Sequence, residues 1–533
     1  MKLFWSACFC ALIYTLPAQA SLPLTPFELA PQKPLPKAAV VSGYLRTLAQ
    51  DSPLARMTQL GVSAGGRSID ALLVSEDLPF LSTNSRAKDK PTVMLLGSQH
   101  GNEPSGTEVL QILARRLLDG DLRPLVSRMN FVVVALANPD GRDMNRRLNA
   151  KDENPNLDFI AVESPETRIY IDALARFKPD VVMDLHETWN DKYPLTPIEG
   201  FKTTTDAQFE VGNNPNLDAN LSDYANEQYL PRLIERVSRA GVPAQRYNEI
   251  YSLRDPVRRG GLSLSNFRNY AAMQGALTVL FENRHDSLGK YPTPMNIAER
   301  VRKQLLSVEQ ALILVDQDRQ HIQQLTRQAS QQWEGQEGEE RYVLQYRFTP
   351  NQDQPKVPVT LTDSKGLEVV KRFRLEDQVA INGIGEIPAG YVIRSQTKRF
   401  KSWLDRHHID YQVVVGKELL TLQQQRVAGL AIAAQTNPGT RDWLDVTLDE
   451  KLVAAELKPG DIKISTDQPQ GALIAIMLDP RSSNSLYQEP SWRSLLLSNP
   501  LPTAPIPATQ QIEALQQAAM ESKAANRKSG AAG

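Results

Sequence analysis

Between about residue 35 and residue 330, short apolar runs alternate with longer amphipathic stretches, and chemically able side chains follow directly after the apolar runs. Residues 69–74, 92–96, 131–137, 180–185 and 277–281 have the length and texture of buried strands. Between the second and third, Val109, Leu110, Ile112, Leu113 and Leu117 recur at helical spacing over 107–118. This order predicts a layered α/β domain. A second long helical pattern over 295–331 ends in the polar run Glu334 to Glu340, read as an interdomain linker. Beyond it, residues 342–348, 357–361, 367–375, 391–393, 445–448 and 473–478 are short strand-like runs between turn residues, with one helical stretch at 398–407. The expected organisation is a leader over 1–20, a larger α/β domain over 21–333, a smaller strand-rich domain over 341–497, and a disordered tail over 498–533 that opens on Pro500, Pro502, Pro505 and Pro507.

Composition narrows the function classes. Sixty Lys and Arg nearly cancel 61 Asp and Glu, so no global field would hold nucleic acid or an anionic membrane. Both cysteines, Cys8 and Cys10, fall in the first ten residues, which disfavours a disulfide scaffold, a Cys-ligated zinc or a cysteine nucleophile. That same segment reads as an export signal: Met1-Lys2, an apolar stretch from Leu3 to Leu16, and Ala18-Gln19-Ala20 before a cut at Ser21. The stretch is too short to span a bilayer, and no later segment approaches that length. A periplasmic or secreted protein without a transmembrane anchor is expected; its oligomeric state is not readable from the sequence.

In open α/β sheets, ligands bind at the carboxyl ends of the strands. After 92–96 comes Gly-Ser-Gln-His100-Gly-Asn-Glu103, and after 131–137 comes Asn138-Pro-Asp-Gly141, followed by Arg142, Arg146 and Arg147. After 180–185 come His186 and Glu187, and after 277–281 come Glu282, Asn283 and Arg284. Catalytic zinc takes three nitrogen or oxygen ligands and keeps a fourth position for water. His100 and Glu103 can converge across the flexible Gly101, and His186 completes the set from another strand end. A carboxylate must also take the proton of the activated water, and a positive group must face the developing oxyanion. His-x-x-Glu by itself is a weak signal; joined to His186 and Glu282 it becomes a metal-hydrolase constellation. His285, His321, His407 and His408 read as loop, surface or structural histidines. His186-Glu-Thr-Trp-Asn190 stops one residue short of H-E-x-x-H, and the chain holds no Walker loop or dinucleotide fingerprint.

With these residues assembled, the chain resembles the zinc carboxypeptidases of the carboxypeptidase A-like metallopeptidase family over roughly residues 40–300. The resemblance runs through Gly-Gly-Arg-Ser-Ile69, His100-Gly-Asn-Glu103-Pro-Ser-Gly-Thr-Glu108, Asn138-Pro-Asp-Gly141, Asp184-Leu-His186 and Phe281-Glu282-Asn-Arg284. It implies a mixed, mostly parallel central sheet flanked by helices, one zinc per chain on His100, Glu103 and His186, and Glu282 as general base and acid. It also implies a peptide or peptide-like amide substrate and an arginine polarising the scissile carbonyl: Arg147 first, with Arg146 and Arg142 behind it.

The chain also departs from that pattern. Where the family carries Asp-x-Asn-Arg, this sequence reads Asn154-Pro155-Asn156-Leu157. Asn156, with Arg146, remains a candidate substrate contact, but leucine cannot make the bidentate pair that arginine makes with a carboxylate. Arg254, Arg258, Arg259 and Arg284 are candidate replacements, and Tyr247, Tyr251 and Tyr270 are candidates for the family's substrate-capping tyrosine. A zinc amidase or deacylase on the same scaffold is the second expectation, and a non-catalytic peptide-binding module the third.

Overall fold

The computed structural model describes residues 22–31, 34–83, 90–189, 202–250, 253–285, 296–333, 341–363, 367–432 and 443–508. The leader, the run from Glu334 to Glu340, and Tyr251 lie outside the described residues.

A central sheet of eight strands organises the first part of the chain. In chain order they are β1 Ala55–Val62, β2 Ser68–Val74, β3 Thr92–Gly97, β4 Asn130–Val134, β5 Val181–Trp189, β6 Ala207–Val211, β7 Ala244–Arg246 and β8 Leu277–His285. Across the sheet they lie in the order β1-β2-β4-β3-β5-β8-β6-β7. The middle pairings β4–β3, β3–β5 and β5–β8 are parallel, while β1–β2, β2–β4 and β8–β6 are antiparallel. The sheet is therefore mixed, with three parallel pairings at the centre and a fourth, β6–β7, at one edge.

Continuous apolar sequence in β3 and β4 follows from burial on both faces. Val93, Leu95 and Val133 point into a core with helices Ala38–Asp51, Ser105–Asp119 and Ile297–Gln317. The alternate residues Met94, Leu96, Val132 and Val134 point into a second core with helices Pro165–Phe177 and Phe267–Met273. That second core also takes in Phe400, Trp403 and Leu404 of helix Thr397–Arg406 and the whole of helix Gly471–Leu478. The later part of the chain thus covers one face of the central sheet. Polar bonds cross the same seam: Trp403 Nε1 donates to the Ile160 carbonyl at 2.8 Å, and His407 joins that carbonyl at 3.1 Å and the Tyr270 hydroxyl at 2.9 Å. Two short strands of the first part, Lys202–Thr203 and Val257–Arg258, pair with Lys356–Thr362 and Glu368–Glu386 of the second.

The second part is rich in strands, as expected, including a long ribbon of Glu418–Ile432 against Leu444–Leu457. Two local expectations do not hold. Residues 473–478 are helical, inside Gly471–Leu478. All eight residues of that helix are buried, so no polar face exists to reveal its period. The proline run expected to open a disordered tail holds a strand, Thr503–Ile506, paired antiparallel with Gly390–Ile393 at a sheet edge. An edge tolerates Pro505, whose missing N–H leaves no ladder bond broken. No helix among the described residues is long and apolar enough to cross a membrane.

Candidate active site

Three of the four strand ends singled out by sequence deliver their side chains to one place. The turn after β3 is closed by the Ser98 hydroxyl, which donates to the Glu103 carbonyl at 2.8 Å, and by the Glu103 N–H, which donates to the His100 carbonyl at 3.0 Å. Gly101 lets this turn lie against the Asn138–Gly141 turn: a Cβ at residue 101 would stand 1.9 Å from the Gly141 carbonyl carbon. The two motifs are packed backbone to backbone, which no side chain at 101 would allow.

His100, Glu103 and His186 are all buried, and their ligand atoms lie within 4.8 Å of one another. His100 Nδ1 is 2.9 Å from Glu103 Oε1, His186 Nδ1 is 2.9 Å from Glu103 Oε2, and the two Nδ1 atoms are 3.1 Å apart. The far nitrogens are engaged elsewhere. His100 Nε2 meets Asn154 Oδ1 at 3.2 Å, and His186 Nε2 lies 3.0 Å from Asp184 Oδ2. With a metal in place, the Asn154 oxygen and the Asp184 charge beside the two Nε2 atoms would favour a proton there and leave the Nδ1 lone pairs to the metal. Two imidazole lone pairs and a carboxylate converging at this spacing fit a divalent metal of zinc's preferences.

The electrostatics of the two histidines diverge because their partners do. Burial lowers His100 to about 4, with the Arg147 charge acting the same way against the pull of Glu103. Burial also works against a charge on His186, yet Asp184 and Glu103 hold it well above its ordinary value. Burial opposes the charge of Glu103 as well, but His100 and His186 keep its carboxyl well below the usual carboxylate range. Asp184 is itself fixed by Gln99 Nε2, which donates at 2.8 Å. Asp184 received no role from the sequence, although its place two residues before His186, on the same face of one strand, is the signal that could have given it one.

Glu282 stands level with His186 in the parallel β8–β5 pairing. Alternation along the strands puts the two on one face. Their neighbours Asn283 and Glu187 turn to the other, where Asn283 donates to the Arg300 carbonyl and Glu187 pairs with Arg300. The three candidate arginines separate cleanly. Arg147 reaches the cluster, donating to Glu103 Oε1 at 2.9 Å while its side chain stays 49% exposed. Arg146 is held on its own loop by Asp152 and the Asn149 carbonyl. Arg142 is buried against Glu108 and the Pro36 carbonyl.

Asn156 takes Phe267 N–H on its Oδ1 at 3.2 Å, which ties the loop after Asn154 to the start of helix Phe267–Met273. Leu157 is exposed. Of the candidate carboxylate anchors, Arg258 pairs with Glu376, Arg259 with Asp377 and Arg284 with Asp206. Tyr270 is buried with its hydroxyl on His407, so its ring is a core element rather than a cap. Tyr247 is partly exposed and follows directly on β7.

The same loop carries a pH-sensitive carboxyl. Burial pushes Asp158 up to about 7, with Glu163 and Glu489 adding to it against N–H groups of Ser164 and Glu163. An unfolded aspartate titrates near ~3.9, so the folded chain holds this proton more tightly and loses stability as pH rises from about 4 through 7. Each pH unit crossed costs about 1.4 kcal/mol at most. Urea midpoints of the wild type and Asp158→Asn, compared at pH 5 and pH 8, should diverge in favour of the variant at pH 8. A constant difference across that range would remove Asp158 as the cause.

A mixed α/β sheet that presents two imidazoles and a carboxylate at the ends of its central strands offers the donor set of a divalent-metal site. Residues 41–218 match the family model for zinc carboxypeptidase. Carboxypeptidase 2 of Trichophyton rubrum is 25% identical over 255 residues, 46% of each chain. Human carboxypeptidase D is 29% identical over 200 residues, 33% of this chain and 14% of its own. The matched region thus spans less than half the length of these curated relatives. Among solved structures, the metallo-carboxypeptidase from Burkholderia cenocepacia is similar over 53% of this chain and 69% of its own, at 21% identity and a TM-score of 0.40.

Proposed function

We propose that this protein is an exported zinc-dependent metallopeptidase of carboxypeptidase type, which hydrolyses an amide bond near the end of a peptide. The convergence of His100 Nδ1, His186 Nδ1 and the Glu103 carboxylate carries this reading. These three side chains hold one zinc per chain. Bound there, zinc supplies a Lewis acid that acidifies water and polarises the carbonyl. Glu282, beside His186 on the same face, takes the proton of the attacking water and returns it to the departing amine. Arg147, whose guanidinium is partly exposed at the cluster, faces the carbonyl oxygen as negative charge develops. Asn156 contacts the substrate from the adjoining loop. Export follows from the leader, with the mature chain beginning at Ser21.

Elemental analysis of the purified protein, with mass spectrometry of a digested peptide library, tests this reading. One zinc per chain and stepwise loss of C-terminal residues are expected, whereas internal cuts would replace the carboxypeptidase reading. Exposure of Leu157 at 41%, where the family carries a carboxylate-gripping arginine, supports a second reading as a zinc amidase or deacylase. Equal cleavage of a peptide and its C-terminal amide would favour it.

A further inference from the structure

Arg268 is a cation that the fold buries without a counter-charge. It is the second residue of helix Phe267–Met273 and is 5% exposed. Its Nη2 donates to Asn213 Oδ1 at 3.0 Å and to the Gly261 carbonyl at 2.8 Å, both neutral, and its buried Nε has no partner. Among the described residues no carboxylate lies within ion-pair distance of it. Its neighbours differ: Arg246 is answered by Glu210, Arg258 by Glu376 and Arg259 by Asp377. Burial depresses the Arg268 guanidinium below its ordinary range, while Glu210, Tyr247 and Asp184 favour its charge without touching it. A desolvated cation served only by neutral oxygens is a site prepared for an anion.

Its position ties that site to the cluster. The adjoining Phe267 N–H holds Asn156, and Asn154, two residues earlier, holds His100. The helix packs on β5 and β8, the strands of His186 and Glu282. Gly260 leaves room for the guanidinium, since a Cβ there would fall 2.5 Å from Arg268 Nη1.

We propose that Arg268 receives a carboxylate of the substrate, either the terminal carboxylate or that of an acidic terminal side chain, in place of the arginine that Leu157 does not supply. The proposal rests on the carboxypeptidase reading. Three matched peptides test it: a free acid with a neutral last residue, its amide, and a free acid ending in glutamate. With zinc-loaded enzyme, Arg268→Gln should raise KM for the carboxylate-bearing peptides on the order of ten- to a hundredfold, with little change in kcat and none for the amide. Loss for both acids identifies the terminal carboxylate; loss confined to the glutamate peptide identifies the side chain. Gly260→Ala keeps the charge but displaces it, and should give the same selective loss at smaller size. A change shared equally by acids and amide, or no change, overturns the proposal. Calorimetric titration of the peptides into Glu282→Gln, with and without Arg268→Gln, reads binding without turnover. If wild type cleaves none of the three, the carboxypeptidase reading falls. The titration then decides on Arg268 by itself, and equal affinity of the two forms overturns it.

Discussion

His186→Ala is expected to yield a folded protein that retains no zinc and hydrolyses no peptide. The substitution removes one of three donors and leaves the Glu103 carboxylate with a single imidazole neighbour in a buried site. The β5 ladder is untouched, because its pairings with β3 and β8 are made by backbone groups. Any ligand bound only by the native state raises stability by mass action, so the wild-type melting temperature should fall with a chelator while that of the variant should not. Metal analysis beside thermal unfolding checks both halves. Full zinc occupancy in the variant would move the ligand assignment elsewhere.

Glu282→Gln separates chemistry from metal binding. Glutamine keeps the size and hydrogen-bonding reach of the side chain but cannot accept the proton. General acid–base catalysis contributes ~10²–10⁴-fold, so kcat should drop by about that factor while zinc remains bound. A loss below about tenfold would point to another base.

What the sequence made legible was the chemistry at strand ends. His100, Glu103 and His186 each follow a run that is apolar on both faces, and a parallel sheet carries such ends to a common edge. Arg147 could not be separated from Arg142 and Arg146 by spacing, since all three follow the same turn; their partners Glu103, Glu108 and Asp152 come from different places in the chain. Arg268 left no signal, because an arginine near a helix start reads as a solvated residue. Its burial depends on Asn213 and Gly261 arriving from other segments. Helix Gly471–Leu478 was misread for a related reason: complete burial erases the pattern that distinguishes helix from strand.

The seam between the two parts of the chain has a consequence for how this protein can be altered. Trp403 and His407 both end on the Ile160 carbonyl, four residues from Asn156, and His407 also fixes Tyr270 in the helix that carries Arg268. A truncation after residue 333 would remove the partners of the Ile160 carbonyl and of the Tyr270 hydroxyl and ring, and so loosen the loop that carries Asn156. Grafting the later segment onto a related hydrolase would demand matching aromatic rings on the recipient's sheet. Heredity must therefore treat the two parts as one unit, with substitutions at the cleft filtered by residues more than two hundred positions away.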